Sequence, residues 1–257
     1  MTTMQWKQAI YKSYVSSGHV AERESLQAQL HSRAPYLRAL IHRLFPQDKN
    51  ARILDVGCGY GAVVHLLRER GYRNVTGIDG SQEQVDLAGR LGIAGVEFGE
   101  AFPYLQAAAS GSLDVLCFFD VLEHLDRQEL HDWLLEASRV LSPTGCCVGH
   151  VPNAQGLFAM GIRYGDLTHE LAFTESSLLQ IFRTLGFGDV RCYEDRPVVH
   201  GLTSLARRLL WEAGSLPLRI LYAAETGRPR PILSQNLSFV ARKALSDSRS
   251  AHSPMSQ

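Results

Sequence analysis

Apolar positions along the chain follow two different periods. Over residues 1–50, Leu26, Leu30, Ala34 and Leu37 recur at spacings of three and four, and Leu40, Ile41 and Leu44 continue the series up to Pro46. That is the period of a helix with one buried stripe, and Pro35 predicts a break or kink within it. From Ala51 the pattern changes to short apolar runs alternating with helical stretches. ARILDV, NVTGID, GVEFG, LDVLCFFD, CCVGHVP, DVRCYED and NLSFVAR read as strands. AVVHLLRER and SQEQVDLAGRLG read as helices, the second with Ser81 as N-cap and its end near Gly92. Asp126 and Glu129 form a capping-box signature ahead of Leu130, Trp133, Leu134, Ala137 and Leu141. SPTG reads as a turn, and FTESSLLQIFRTLGF as a capped helix ending at glycine.

Strand–helix alternation predicts an α/β fold with a doubly wound, mainly parallel sheet, and the last two strands would supply an antiparallel edge. The expected organisation is an N-terminal helical cap over 1–50 and a main domain over 51–245. A helical insertion at about 200–233 precedes the last strand, and a polar, aperiodic tail over 246–257 reads as disordered. There are no internal repeats.

Composition narrows the class. Hydrophobic residues make up 45% and charged residues 20%, as in an ordinary globular domain. Lys+Arg and Asp+Glu number 26 each, which argues against a broad nucleic-acid surface. The five cysteines, Cys58, Cys117, Cys146, Cys147 and Cys192, contain no C-x-x-C pair. Three of them sit in apolar segments and read as reduced core residues of a cytoplasmic protein. The N-terminal stretch lacks the basic start and apolar region of a signal peptide, and no run reaches the roughly 18 apolar residues of a membrane span.

Chemistry concentrates at strand ends. Gly57, Gly59 and Gly61 lie between a strand and a helix, where glycine lets a ligand approach the backbone. Asp79 ends the second strand, at the place of a carboxylate that grips a ribose diol. The spacing is G-x-G-x-G with Asp55 ahead of it, not the G-x-G-x-x-G of dinucleotide sites. This resembles motif I of class I S-adenosylmethionine-dependent methyltransferases, over about residues 53–242. The resemblance implies a Rossmann-like seven-stranded sheet with its last strand antiparallel. It implies that Asp55, Gly57, Cys58 and Gly59 contact the methionine part of S-adenosylmethionine, Asp79 the ribose, Gly80 the neighbouring adenosine, and Glu100 and Ala101 the adenine. Asp120, at the end of the fourth strand, would lie beside the methyl-transfer point.

Asp120-Val-Leu-Glu123-His124 and the later Thr168-His169-Glu170 together resemble two further groups: small-RNA 3′-terminal 2′-O-methyltransferases with a magnesium site, and catechol O-methyltransferases of the ubiquinone pathway. Carried over, the implied ligands of Mg²⁺ or another divalent cation are Asp120, Glu123, His124 and His169, with Asp120, His124 and His169 the candidate catalytic groups. Capping and loop hydrogen bonds are the structural alternative for the same residues. The wider pattern, P-N, R-Y-G-D-x-T-H-E and A-F-T-x-x-S-L, also resembles methyltransferases of bacterial surface-glycan synthesis, which implies a saccharide hydroxyl as acceptor. The expectation is therefore O-methylation of a diol-bearing small molecule or glycan. A catechol acceptor and a non-catalytic cofactor-binding protein are the rivals.

The insertion carries Arg207, Arg208, Arg219, Arg228 and Arg230 among leucines. It reads as two packed helices with solvated arginines, as a lid with arginines for a phosphate or anionic sugar, or as a surface touching a membrane or a lipid-linked substrate. Tyr11, Tyr14 and Arg33 are candidate lid residues in the N-terminal helices.

Overall fold

The structure, a computed structural model, describes Trp6, Lys7, Ile10 and residues 23–244. The tail over 246–257 and the lid candidates Tyr11 and Tyr14 lie outside these residues. Seven strands form one sheet: β1 (Arg52–Val56), β2 (Asn74–Asp79), β3 (Val96–Phe98), β4 (Leu113–Phe119), β5 (Leu141–Pro152), β6 (Phe187–Glu194) and β7 (Asn236–Lys243). Their order is β3-β2-β1-β4-β5-β7-β6. The first five are parallel, and β7 runs antiparallel between β5 and β6. The antiparallel strand is thus the second from the edge, with β6 outside it. The chain reverses direction across the sheet between β1 and β4, and the crevice beyond their carboxyl ends is the place for a ligand.

Eight helices accompany the sheet among the described residues: α1 (Arg23–Leu44), α2 (Ala62–Glu69), α3 (Gln82–Leu91), α4 (Ala101–Ala107), α5 (Arg127–Val140), α6 (Ala159–Arg163), α7 (Glu175–Thr184) and α8 (Leu202–Thr226). Strand side chains alternate between two cores, as the period of two requires. Leu54, Val56, Leu116 and Phe118 pack with Leu134, Ala137, Leu178 and Phe182 of α5 and α7. Ile53, Val115 and Cys117 pack with Leu37, Ile41, Val64 and Leu67 of α1 and α2 on the opposite face. The N-terminal helix therefore supplies core as well as cover.

Local chemistry explains the boundaries. Asp126 accepts from Gln128 and Glu129 while the Glu129 carboxylate accepts from the Asp126 N–H, so the capping box at α5 is complete. Thr174 and Ser177 do the same for α7. Ser81 sits at the N-cap of α3 but makes no side-chain cap, and Gly92 closes that helix in the left-handed region at φ 72°. Between Leu141 and Cys146 the pairing with β4 skips residues 142–145, so the SPTG turn survives as a bulge inside β5.

Two expectations need correction. α1 runs unbroken through Pro35, and the insertion is one 25-residue helix through Pro217 rather than two. A proline removes the bond to the carbonyl four residues earlier, here His31 and Ala213. Both residues are exposed, so water can take the orphaned carbonyl, while packing of neighbours such as Ala34, Leu37 and Ser215 keeps each helix in place. Nor are Arg208 and Arg219 simply solvated. Arg219 donates to Glu194 at 2.6 and 2.7 Å and to the Pro231 carbonyl, and Arg208 donates to Glu212. Glu194, at the end of β6, also accepts from Arg196 and from the Leu233 N–H, so it clamps both ends of the insertion. No helix among the described residues is long and apolar enough to cross a membrane.

The centre of the sheet leaves no room at Gly149. A methyl group there would lie 2.4 Å from the Phe239 ring and 2.7 Å from the Phe118 carbonyl. Gly149→Ala is expected to cost about 1–3 kcal/mol by overpacking and to lower the melting temperature by several degrees. An unchanged thermal melt would mean that the strands part more easily than this packing implies.

Candidate active site

The turn after β1 is built for close approach. Gly57, Gly59 and Gly61 all have positive φ, at 64°, 55° and 82°. At Gly57 a Cβ would also strike the Val121 methyl at 2.7 Å, so no other residue fits without movement. Asp79 holds the turn open from the next strand: its carboxylate accepts from the Gly59 N–H and the Ser81 N–H, each at 2.8 Å. Asp55 is 1% exposed, and its Oδ1 lacks a hydrogen-bond partner, as do the buried Ser81 Oγ and Gln84 Oε1 nearby. Buried polar atoms left unpaired are costly, so this concentration fits a polar ligand lying along the turn. Glu100 and Ala101 begin α4 after β3, and Gly80 has open space where a side chain would be. All the residues expected to contact the cofactor therefore stand at the carboxyl ends of β1 to β4.

Asp120 stands apart from the other predicted ligands. It occupies the left-handed region at φ 56°, where among the described residues every other position is glycine. Aspartate tolerates this better than most residues, and such strain tends to gather at functional sites. The conformation turns the carboxylate toward β5. The Asp120 N–H donates to the His150 carbonyl, and Oδ1 accepts from His150 Nδ1 at 2.5 Å. Crowding by protein opposes its ionisation, but the charge and hydrogen bond of His150 outweigh it and hold the carboxyl below its usual range.

His150 itself is 6% exposed and lies between two carboxylates. Its Nε2 faces Asp195 Oδ2 at 3.3 Å, and the Tyr36 hydroxyl donates to the same oxygen at 2.7 Å. Burial works against the imidazolium, yet Asp120 and Asp195 together raise its pKa to about 10. Both ring nitrogens are then donors, and a charged hydrogen-bond chain runs from the end of β4 through β5 to the segment after β6 and on to α1. His150, Asp195 and Tyr36 were not candidates from the sequence. A lone polar residue in the apolar run CCVGHVP is the signal that marks His150.

The remaining predicted ligands do converge. One potential ligand atom from each of Glu123, His124 and His169 lies within 4.8 Å of the others, and the two imidazoles meet edge to face at 4.7 Å. Asp120 does not join this group, because its short arm is engaged by His150. The loop after β5 delivers His169: the Glu170 and Leu171 N–H groups donate to the Glu123 carbonyl, and Arg163 donates to the carbonyls of His169 and Glu170. Hydrogen bonds also set the tautomers. The Thr168 hydroxyl donates to Asp166, so it can only accept from His124 Nδ1–H, at 2.8 Å. His169 Nδ1–H donates to the Ile162 carbonyl at 2.9 Å. Each ring therefore keeps its lone pair on Nε2, the arrangement typical of metal-ligating histidines. Glu123 is 1% exposed and its Oε2 has no partner. Burial, then the charge of Asp120, push its carboxyl well up, while burial and His169 lower the His124 pKa to about 4. Lys7 reaches over the cluster from the N-terminal segment, donating to the His124 carbonyl at 2.9 Å and pairing with Glu170 at 3.0 Å.

Burial, and then the charge of Asp79, raise the Asp55 pKa to about 8. A carboxyl near 4 in the unfolded chain and near 8 in the fold favours the native state fully only at acidic pH, and this contribution is lost as pH rises through 8. Asp55→Asn, which cannot ionise, is expected to show a smaller fall in melting temperature between pH 6 and 9 than the wild type. Parallel thermal melts across that range would refute the assignment.

Comparison with known proteins agrees with this geometry. Residues 29–191 match the family described as Methyltransferase domain. No curated protein matches the chain. Among solved structures, a SAM-dependent methyltransferase from Archaeoglobus fulgidus is similar over 92% of this chain and 99% of its own, with 22% identity and a TM-score of 0.57. The 1,6-didemethyltoxoflavin-N1-methyltransferase of Burkholderia thailandensis, solved with 1,6-didemethyltoxoflavin and S-adenosylhomocysteine, is similar over 95% of this chain and 91% of its own, with 20% identity and a TM-score of 0.54. With its glycine turn, its Asp79 and its strand order, the chain belongs to the methyltransferase-domain family and is an S-adenosylmethionine-dependent methyltransferase.

Proposed function

We propose that the chain methylates a hydroxyl of a diol-bearing acceptor, a saccharide or its nucleotide- or lipid-linked form, with a divalent cation held by Glu123, His124 and His169. The observation that carries this reading is the convergence of a buried, unpartnered carboxylate oxygen with two imidazoles whose Nδ1 atoms are committed elsewhere. One carboxylate and two imidazoles make a borderline donor set: the carboxylate suits Mg²⁺ or Mn²⁺, and the imidazoles suit Zn²⁺ or Fe²⁺. Such an ion would supply Lewis-acid polarisation of an acceptor hydroxyl.

The roles of the chain's own groups follow from their positions. Asp79 would grip the cofactor ribose while its bonds to Gly59 and Ser81 keep the turn in shape. Asp55 and the glycines would line the methionine part. Thr168 and the Ile162 carbonyl orient the two histidines, and Lys7 ties the N-terminal segment across the cluster, which would limit water. Transfer to an oriented hydroxyl then depends mostly on positioning. The Burkholderia relative is named for a nitrogen acceptor. Oxygen is preferred here because a divalent cation at the trio would polarise an acceptor hydroxyl. A catechol presents the same pair of oxygens and is the second reading. A saccharide is favoured because the cavity at Asp195, which His150 ties to Asp120, is lined by Tyr36, Arg196, His200, Ser234 and Asn236. The same proposal places the protein in the reducing cytoplasm, in keeping with its five free thiols.

EDTA is expected to abolish turnover, and Mg²⁺ or Mn²⁺ to restore it. Full activity of the metal-stripped enzyme would sink the metal assignment. Thr168→Val is expected to weaken Mn²⁺ binding about 10–100-fold, read by metal titration of the protein. Asp79→Ala is expected to weaken S-adenosylhomocysteine binding at least about tenfold, read by calorimetry. Unaltered affinity would remove Asp79 from the cofactor site.

A further inference from the structure

A cavity of about 410 Å³ opens beneath α8, lined by Ser32 and Tyr36 of α1, the segment from Asp195 to His200, Arg207 and Trp211 of α8, and Ser234 to Asn236 before and within β7. Asp195 lines it, and a hydrogen-bond chain through the buried His150 ties Asp195 to Asp120 at the end of β4. Three features of its wall lack a counterpart among the described residues. The Trp211 Nε1–H is buried and has no acceptor. The Asn236 Oδ1 is buried and has no donor. Arg207 is exposed and enters no ion pair.

The charges around the wall do not balance. Arg196, Arg208 and Arg219 share only Glu194 and Glu212. One guanidinium charge is therefore in excess, and Arg207 adds a second. On the inner side, Asp195 is already bound to the His150 imidazolium and the Tyr36 hydroxyl. The cavity thus combines donors on Arg196, Arg207 and Trp211 with acceptors on Asp195 and Asn236.

We propose that this cavity binds the acceptor through an anionic group, and that the acceptor is a polyol carrying a phosphate or carboxylate. The anion lies against Arg207 and the Trp211 N–H, where guanidinium and indole donors suit oxyanions. Hydroxyls of the polyol donate to Asn236 Oδ1 and to Asp195, whose hydrogen-bond chain through His150 ends at Asp120. The size is within the usual range for a small-molecule site. The assignment rests on the methyl-transfer reading above and narrows its substrate class.

The test is a calorimetric titration of the full chain saturated with S-adenosylhomocysteine, using glucose 1-phosphate, glucuronate and glucose as probes. At least one anionic probe is expected to bind at least about tenfold more tightly than glucose, and the preferred anion separates phosphate from carboxylate. Arg207→Gln and Trp211→Phe, the latter keeping the ring and losing only the N–H donor and part of the volume, should each weaken that probe about tenfold without changing S-adenosylhomocysteine affinity. Glucose binding as tightly as the anions, no binding of any probe, or unchanged anion affinity in Arg207→Gln would each overturn the proposal. Failure of S-adenosylhomocysteine to bind would instead count against the methyl-transfer reading, and the same titration of the bare protein would then decide the cavity alone.

Discussion

A charged histidine inside the protein organises the functional end of this fold. Taking an imidazolium out of water is expensive, and the cost is offset only when opposite charges and hydrogen bonds meet it on both sides. His150 meets that condition through Asp120 and Asp195, and each partner comes from a different part of the chain. Removing either carboxylate would leave a buried charge half compensated. The strand end of β4, β5, the segment after β6 and, through Tyr36, the N-terminal helix are therefore linked by one hydrogen-bond chain. The left-handed turn at Asp120 is the local cost of that arrangement.

The same interaction divides the two halves of the proposed chemistry. Because Asp120 is drawn toward β5, the trio of Glu123, His124 and His169 stands without it. Its negative charge still reaches the trio, raising the Glu123 carboxyl beyond what burial alone would do. Electrostatic coupling thus survives where coordination geometry does not.

What the sequence made legible was whatever depends on neighbours in the chain. The glycine turn, the aspartate ending β2, the capping boxes and the alternation of strands and helices are local signals, and they led to the right fold and the right strand ends. Contacts between distant segments were legible only in part. His124 and His169 were paired because two motifs were compared, whereas His150, Asp195 and Tyr36 carry no motif and meet only once the sheet has formed. The prolines show the converse failure. Pro35 and Pro217 are helix breakers by propensity, yet both helices stay whole: α1 packs on the sheet, α8 is fastened through Arg219 and Glu194, and each orphaned carbonyl belongs to an exposed residue.

The long helix α8 occupies a singular place in the topology. It joins β6 to β7, two adjacent antiparallel strands that a short hairpin would have connected equally well, and it is fastened at its base through Glu194. The sheet consequently does not need it. Side chains that line the cavity from α8, Arg207 and Trp211, can be exchanged within this excursion while the strands that carry the glycine turn keep their spacing. Selectivity is in that sense modular: the catalytic end and the specificity end can evolve at different rates along one continuous chain.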